Sequence, residues 1–76
     1  MNRVNNSETP EERFKRVAEA RTNAVIDKLR ILGKVSNRQI YSYSEEDVNK
    51  IFSAINKQVK EVRAKFNTQE QQRFKL

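Results

Sequence analysis

The stretch from Ser44 to Phe66, SEEDVNKIFSAINKQVKEVRAKF, decides the fold. Its apolar residues recur at alternating spacings of four and three, at Val48, Phe52, Ile55, Val59, Val62 and Phe66. A helix turns by about 100° per residue, so these side chains fall on one stripe of an α-helix. We refer to these six residues as the heptad seam. The pattern predicts an amphipathic helix over residues 45–66.

The residues at the start of this stretch predict where the helix begins. The hydroxyl of Ser44 can accept a hydrogen bond from the amide of Asp47, and the Asp47 carboxylate can accept one from the amide of Ser44, as in a capping box. Tyr43 and Val48 flank this cap at the spacing of a hydrophobic staple. The second helix is therefore expected to begin directly after Ser44.

An earlier helix is predicted over residues 10–32. Thr9 is suited to the N-cap, Pro10 to the first helical position, and Glu12 to the third position of another capping box. Gly33 follows at the place where a left-handed glycine commonly ends a helix. Residues 1–8 are predicted to be a flexible lead and residues 67–76 a frayed or docking tail, because neither has apolar periodicity.

The first helix has apolar side chains on more than one side. Its main apolar face comprises Phe14, Val17, Ala18, Val25, Leu29 and Leu32. Ile26 and Ile31 lie outside this face and widen the apolar surface. Arg21 lies within it, and either extends its guanidinium to solvent or pairs with a carboxylate across an interface. Arg21, Ile26 and Ile31 are therefore candidate interaction residues.

Two helices of similar length with a single connection predict an all-α fold, an antiparallel two-helix hairpin with an ordered connection of eleven residues, 33–43. A hairpin of a 76-residue chain has little interior. We therefore expect it to be completed as a four-helix bundle by dimerisation or by a partner protein. Tyr41 and Tyr43 either cover the end of the hairpin or, with Arg38, offer a surface to single-stranded nucleic acid.

The composition argues against an enzyme. The chain contains no Cys and no His, and Gly33 is its only glycine, so thiolate nucleophiles, histidine bases and glycine-rich phosphate loops are excluded. The acidic cluster at residues 45–47 is explained by helix capping. We predict no catalytic residue, metal site, cofactor or small-molecule substrate. Without a long apolar run or the apolar core of a signal peptide, the expected location is cytoplasmic, with no membrane partner.

The charge balance favours a polyanionic partner. Sixteen Lys and Arg residues against ten Asp and Glu residues give a formal net charge of +6. Such a balance attracts nucleic acid, although it also occurs on ordinary solvated helix faces. The alternative is that i to i+4 pairs neutralise part of the charge, namely Glu12 with Arg16, Glu46 with Lys50, and Glu61 with Lys65. The candidate nucleic-acid-binding residues are Lys50, Lys57, Lys60, Arg63, Arg38, Arg30 and Lys34.

Several segments resemble a family of short, largely uncharacterised helical proteins carried on plasmids, conjugative elements and prophages of Gram-positive bacteria. The segments that carry the resemblance are RFKRVAEARTN at 13–23, LG at 32–33, SNR at 36–38, YSEEDV at 43–48, IFSAI at 51–55 and KF at 65–66. The resemblance covers residues 12–66 and supplies no functional residues. It implies a mobile-element context.

Two hypotheses of different classes follow. In the first, the protein is a non-enzymatic, oligomeric accessory protein that binds nucleic acid or a nucleoprotein complex through basic helix faces. In the second, it is an inhibitor or adaptor whose exposed apolar helix face binds a protein, for example a host defence nuclease such as a CRISPR effector. A recognition helix of the helix-turn-helix kind is not evident, because that motif has a short turn.

Overall fold

A computed structural model describes residues 7–71 and is all-helical over that range, with no strand. Helix α1 spans Pro10–Gly33 and helix α2 spans Glu45–Gln71, and a short 3-10 turn, Lys34–Ser36, follows α1. The chain divides into two compact units, Met1–Tyr41 and Ser42–Leu76. The predicted all-α class and the two helices joined by a connection are confirmed, and the four-helix bundle stays a prediction.

Helix α1 begins with the capping box that its sequence predicted. The amide of Glu12 donates to Thr9 Oγ1 at 3.1 Å, and the amide of Thr9 donates to Glu12 Oε1 at 3.0 Å. Pro10 occupies the first turn, where its missing N–H leaves no acceptor unpaired. The start of the helix is therefore fixed by local hydrogen bonds that require no tertiary packing.

The end of α1 differs from the prediction at Gly33. This residue is not left-handed, since its φ is −59° and its ψ is −21°, and it forms the last residue of the helix. The amide of Lys34 donates to the carbonyl oxygens of Ile31 and Leu32, so the chain tightens into a 3-10 turn and needs no left-handed residue. The expected glycine cap at Gly33 was wrong for this reason.

The helical conformation of Gly33 makes a testable prediction. A Cβ added at Gly33 meets nothing within 4 Å. Alanine loses less backbone entropy than glycine in a helix, so Gly33→Ala is expected to stabilise α1 by about 0.5–1 kcal/mol. Thermal unfolding followed by far-ultraviolet circular dichroism measures the change. A loss of stability would show that Gly33 adopts a left-handed conformation in solution.

The connection contains a further local structure. The amide of Gln39 donates to the side-chain Oδ1 of Asn37 at 2.9 Å, and the amide of Tyr41 donates to the Asn37 carbonyl at 2.9 Å. An asparagine that accepts from the backbone two residues on forms an Asx turn. The connection expected to be ordered therefore has specific turns, although it runs over residues 34–44 rather than 33–43.

Helix α2 begins at its predicted capping box and ends later than predicted. The amide of Asp47 donates to Ser44 Oγ at 3.0 Å, and the amide of Ser44 donates to Asp47 Oδ2 at 2.9 Å. The helix continues to Gln71, five residues beyond the expected end at Phe66. Residues 67–71 contain no Gly or Pro, and the Gln and Glu residues among them have high helix propensity. The rest of the predicted tail, residues 72–76, lies outside the described residues.

The apolar stripes of both helices remain accessible to solvent in the single chain. No residue in the described part of the chain is buried. Within the heptad seam, Val48 and Ile55 are half-buried, whereas Phe52 is 48% exposed and Phe66 is 63% exposed. The described part of each unit therefore has no packed core of the kind that a stable small domain needs.

Candidate nucleic-acid interface

Three basic side chains of α2, those of Lys50, Lys57 and Lys60, lie along the side of the helix away from the heptad seam, and Arg63 lies beside the seam. Lys50 and Lys57 are two turns apart on the outer face of the helix, and Lys60 lies beside them. Arg63 flanks the seam in the C-terminal half of the helix. All four side chains are exposed. We call these four residues the basic stripe.

The four cations of the basic stripe make no ion pair with a described carboxylate. No carboxylate among the described side chains lies within ion-pair distance of these four cations, because the ion pairs found there involve only Glu8 and Asp27 as acids. The expected pairs of Glu46 with Lys50 and of Glu61 with Lys65 do not form. Isolated exposed pairs at this spacing contribute only a few tenths of a kcal/mol, which is too little to hold long side chains in place.

The length of the basic stripe suits a phosphate backbone. Lys50 and Arg63 are thirteen residues apart in one helix, which is about 20 Å at 1.5 Å per residue. This distance is roughly the rise of six nucleotides in one strand of B-form DNA, at about 3.4 Å each. The geometry permits phosphate contacts and assigns no base contacts.

The other predicted basic residues belong to the first unit. Arg30 lies in the last turn of α1, where its Nη1 is 3.5 Å from Asp27 Oδ1, so part of its charge is compensated. Lys34 begins the 3-10 turn, and Arg38 lies in the turn after Asn37. These three residues cluster near the end of α1 and are exposed.

The two tyrosines of the connection differ in their exposure. Tyr41 is exposed, whereas Tyr43 is half-buried next to the cap of α2, as is Val48. The half-burial of Tyr43 and Val48 agrees with the predicted hydrophobic staple. Of the two aromatic rings, that of Tyr41 is the more accessible for stacking on a base.

The predicted interaction residues of α1 are exposed in the single chain. Ile26 and Ile31 both reach solvent, and so does Arg21. Arg21 has no ion pair with any described carboxylate, so the alternative in which it pairs with an acid is not realised within this part of the chain. Its extension to solvent is the arrangement observed.

Sequence reasoning missed an ion pair at the start of α1. Arg16 donates from Nε to Glu8 Oε2 at 2.8 Å and from Nη2 to Glu8 Oε1 at 3.0 Å, and Arg13 Nε lies 3.8 Å from Glu8 Oε1. The predicted partner of Arg16 was Glu12, but the Glu12 carboxylate is occupied by the capping box. Glu8 belongs to the segment predicted to be a flexible lead, of which residues 1–6 lie outside the described residues. Its position directly before the N-cap was the available signal.

This contact shifts the pKa values of both partners. Hydrogen bonding from Arg16 lowers the pKa of Glu8, and it outweighs the opposing effect of desolvation, while the charges of Arg16 and Arg13 lower the pKa further. The same hydrogen bond raises the pKa of Arg16. Arg16 and Arg13 are thereby compensated in part and contribute less than the basic stripe to the cationic surface.

The lowered pKa of Glu8 makes stability depend on pH in a defined direction. The pair stabilises the start of α1 fully above the ordinary glutamate pKa of 4.5, and this contribution is lost as the pH falls through the lowered folded-state value. We expect a carboxyl titration by nuclear magnetic resonance to give Glu8 a pKa below 4.5, and Arg16→Gln to return it toward that value. Lys15→Gln is the control, since Lys15 makes no ion pair with a described carboxylate. An unchanged Glu8 pKa in Arg16→Gln would show that the pair does not form in solution.

No other kind of site is found among the described residues. Residues 7–71 contain no group of three or more acidic, histidine or cysteine side chains that could hold a metal ion. Neither α1 nor the described part of α2 contains an apolar stretch able to cross a bilayer. The chain matches no protein-family model, and no curated protein or solved structure is detectably similar to it.

Proposed function

We propose that this protein is a non-enzymatic, cytoplasmic accessory protein that binds nucleic acid, alone or within a nucleoprotein complex, through the basic stripe of α2. The observation that carries the proposal is the stripe itself, in which four exposed cations share one helix and have no described carboxylate at ion-pair distance. The net charge of +6 supports the same partner. The resemblance to proteins of mobile elements supports an accessory role.

The chemistry of the stripe favours backbone recognition. Lysine acts as a hydrated point charge that attracts phosphate without fixed geometry, and three of the four residues are lysines. Phosphate contacts position a protein on nucleic acid and carry no sequence information. The expected binding is therefore independent of base sequence.

A second candidate function rests on the apolar surface of α1. Phe14, Val25 and Leu29 of its main face are all exposed, as is Ile31 beside it. Exposed apolar side chains grouped on one helix face are typical of sites of protein interaction. A protein-targeting inhibitor or adaptor would use this face to bind its target, for example a host defence nuclease.

Binding to labelled DNA across a salt series separates the two candidates. Fluorescence anisotropy with random-sequence duplex and single-stranded 20-mers is expected to show binding at low salt that weakens steeply as salt rises, because binding to phosphates releases counterions. An absence of binding at 20 mM salt would reject the nucleic-acid proposal. In that case, recovery of one stoichiometric protein from a host lysate would support the second candidate.

A further inference from the structure

The heptad seam of α2 is a more regular association surface than the apolar face of α1. In heptad notation, Phe52, Val59 and Phe66 occupy a positions and Val48, Ile55 and Val62 occupy d positions. The corresponding seam of α1 is interrupted by Arg21. Every seam residue of α2 is at least partly exposed. An uninterrupted stripe of three heptads is what a second helix packs against.

We propose that the heptad seam pairs antiparallel with the heptad seam of a second copy of this chain. In an antiparallel pair, each a position faces a d position of the other helix. Placing Phe52 opposite Val62 of the second copy also places Val59 opposite Ile55 and Phe66 opposite Val48. All six seam side chains then have a partner, and the arrangement is symmetric about the level of Lys57.

The distribution of charge along α2 selects the antiparallel direction. The first turn is acidic, at Glu45, Glu46 and Asp47, and the part around residues 63–65 is basic. In the antiparallel register, position 65 of one copy lies at the level of position 49 of the other. Position 49 is within about one helical turn of the acidic residues of its own helix. Lys65 of each copy therefore lies within about one helical turn of the acidic residues of its partner, whereas Arg63 lies at the level of Ile51 of the second copy.

A parallel pair has the opposite electrostatics. It brings the acidic turns of two copies together and the two basic ends together, and it also aligns both helix dipoles.

The residues that flank the middle of the seam introduce no charge repulsion into the antiparallel pair. Asn56 meets Asn56 of the second copy on one edge, and Gln58 meets Gln58 of the second copy on the other. The pairing leaves Lys50 and Lys57 on the outer face of each helix.

Spin-label distances test the direction of pairing. The chain contains no cysteine, so Lys50→Cys and Lys57→Cys each introduce a single labelling site on the same outer face. In the antiparallel pair the two labels at position 57 are level along the axis, whereas those at position 50 are offset by about 21 Å, or fourteen residues at 1.5 Å each. Double electron–electron resonance is expected to give a longer distance for Lys50→Cys than for Lys57→Cys.

Each other result overturns the proposal. Equal distances at the two positions would indicate a parallel pair. The absence of a dipolar signal at both positions would show that no second copy lies on the seam and that α1 or a different partner covers it. The measurement is made without nucleic acid, so this proposal and the proposed function can fail independently.

Discussion

Val59→Asp is expected to prevent self-association and to remove most of the helical signal of α2. Val59 lies at the centre of the heptad seam and is 57% exposed in the single chain, where a carboxylate would be tolerated. In the antiparallel pair it faces Ile55 of the second copy, and burial of an unpaired carboxylate there costs several kcal/mol. Two symmetric sites carry this cost, so we expect the dissociation constant of the dimer to rise at least 100-fold.

Loss of association is expected to reduce helicity because no described residue of the single chain is buried. Most helix stability in proteins comes from the packing of an amphipathic face rather than from intrinsic propensity. Sedimentation velocity is expected to give about twice the chain mass of 9.0 kDa for the unmodified protein and the monomer mass for Val59→Asp. The magnitude of the negative circular dichroism signal at 222 nm is expected to decrease in Val59→Asp together with the sedimenting mass.

Ser53→Asp is the matched control for Val59→Asp. It introduces the same charge into the same helix, but Ser53 lies outside the heptad seam and is exposed. This variant is expected to sediment as the unmodified protein does. If Val59→Asp and Ser53→Asp behaved alike, the effect would come from charge or helix propensity and the seam would have no role in association.

The features that the sequence predicted correctly depend on neighbours within one turn of helix. Both capping boxes, at Thr9 and Ser44, formed with the expected partners because each involves residues three apart in the chain. The heptad spacing likewise fixes which side chains share a face of α2. These predictions required no knowledge of tertiary structure.

Two errors, at Arg16 and at Gly33, arose where two local interactions competed for one group. Arg16 could pair with Glu12 by spacing, but the Glu12 carboxylate already accepts from Thr9, and Glu8 takes its place. Gly33 could end α1 in a left-handed conformation, but a 3-10 turn satisfies the same carbonyl groups. What covers the apolar stripes was not predictable in this way, because it depends on surfaces beyond a single helix.

The basic stripe can be tested against other lysines of the chain by salt dependence. The prediction is that Lys50→Gln with Lys57→Gln makes the slope of log K against log salt for duplex DNA less negative by about 1.8, or about 0.9 for each lost phosphate contact. Near 0.1 M monovalent salt a slope change of this size corresponds to a roughly 60-fold loss of affinity. Both side chains point away from the seam, so the variant is expected to keep its helicity and its association state.

Lys15→Gln with Lys28→Gln removes the same charge from α1 and is the matched control. If attraction of DNA arose only from the net charge of +6, both double variants would lose affinity equally, because a distant field depends on total charge. If the stripe contacts phosphates directly, only Lys50→Gln with Lys57→Gln changes the slope, since the slope counts the cations that displace condensed counterions. Equal slopes for the two variants would reject the basic stripe as the binding surface even if the protein binds DNA.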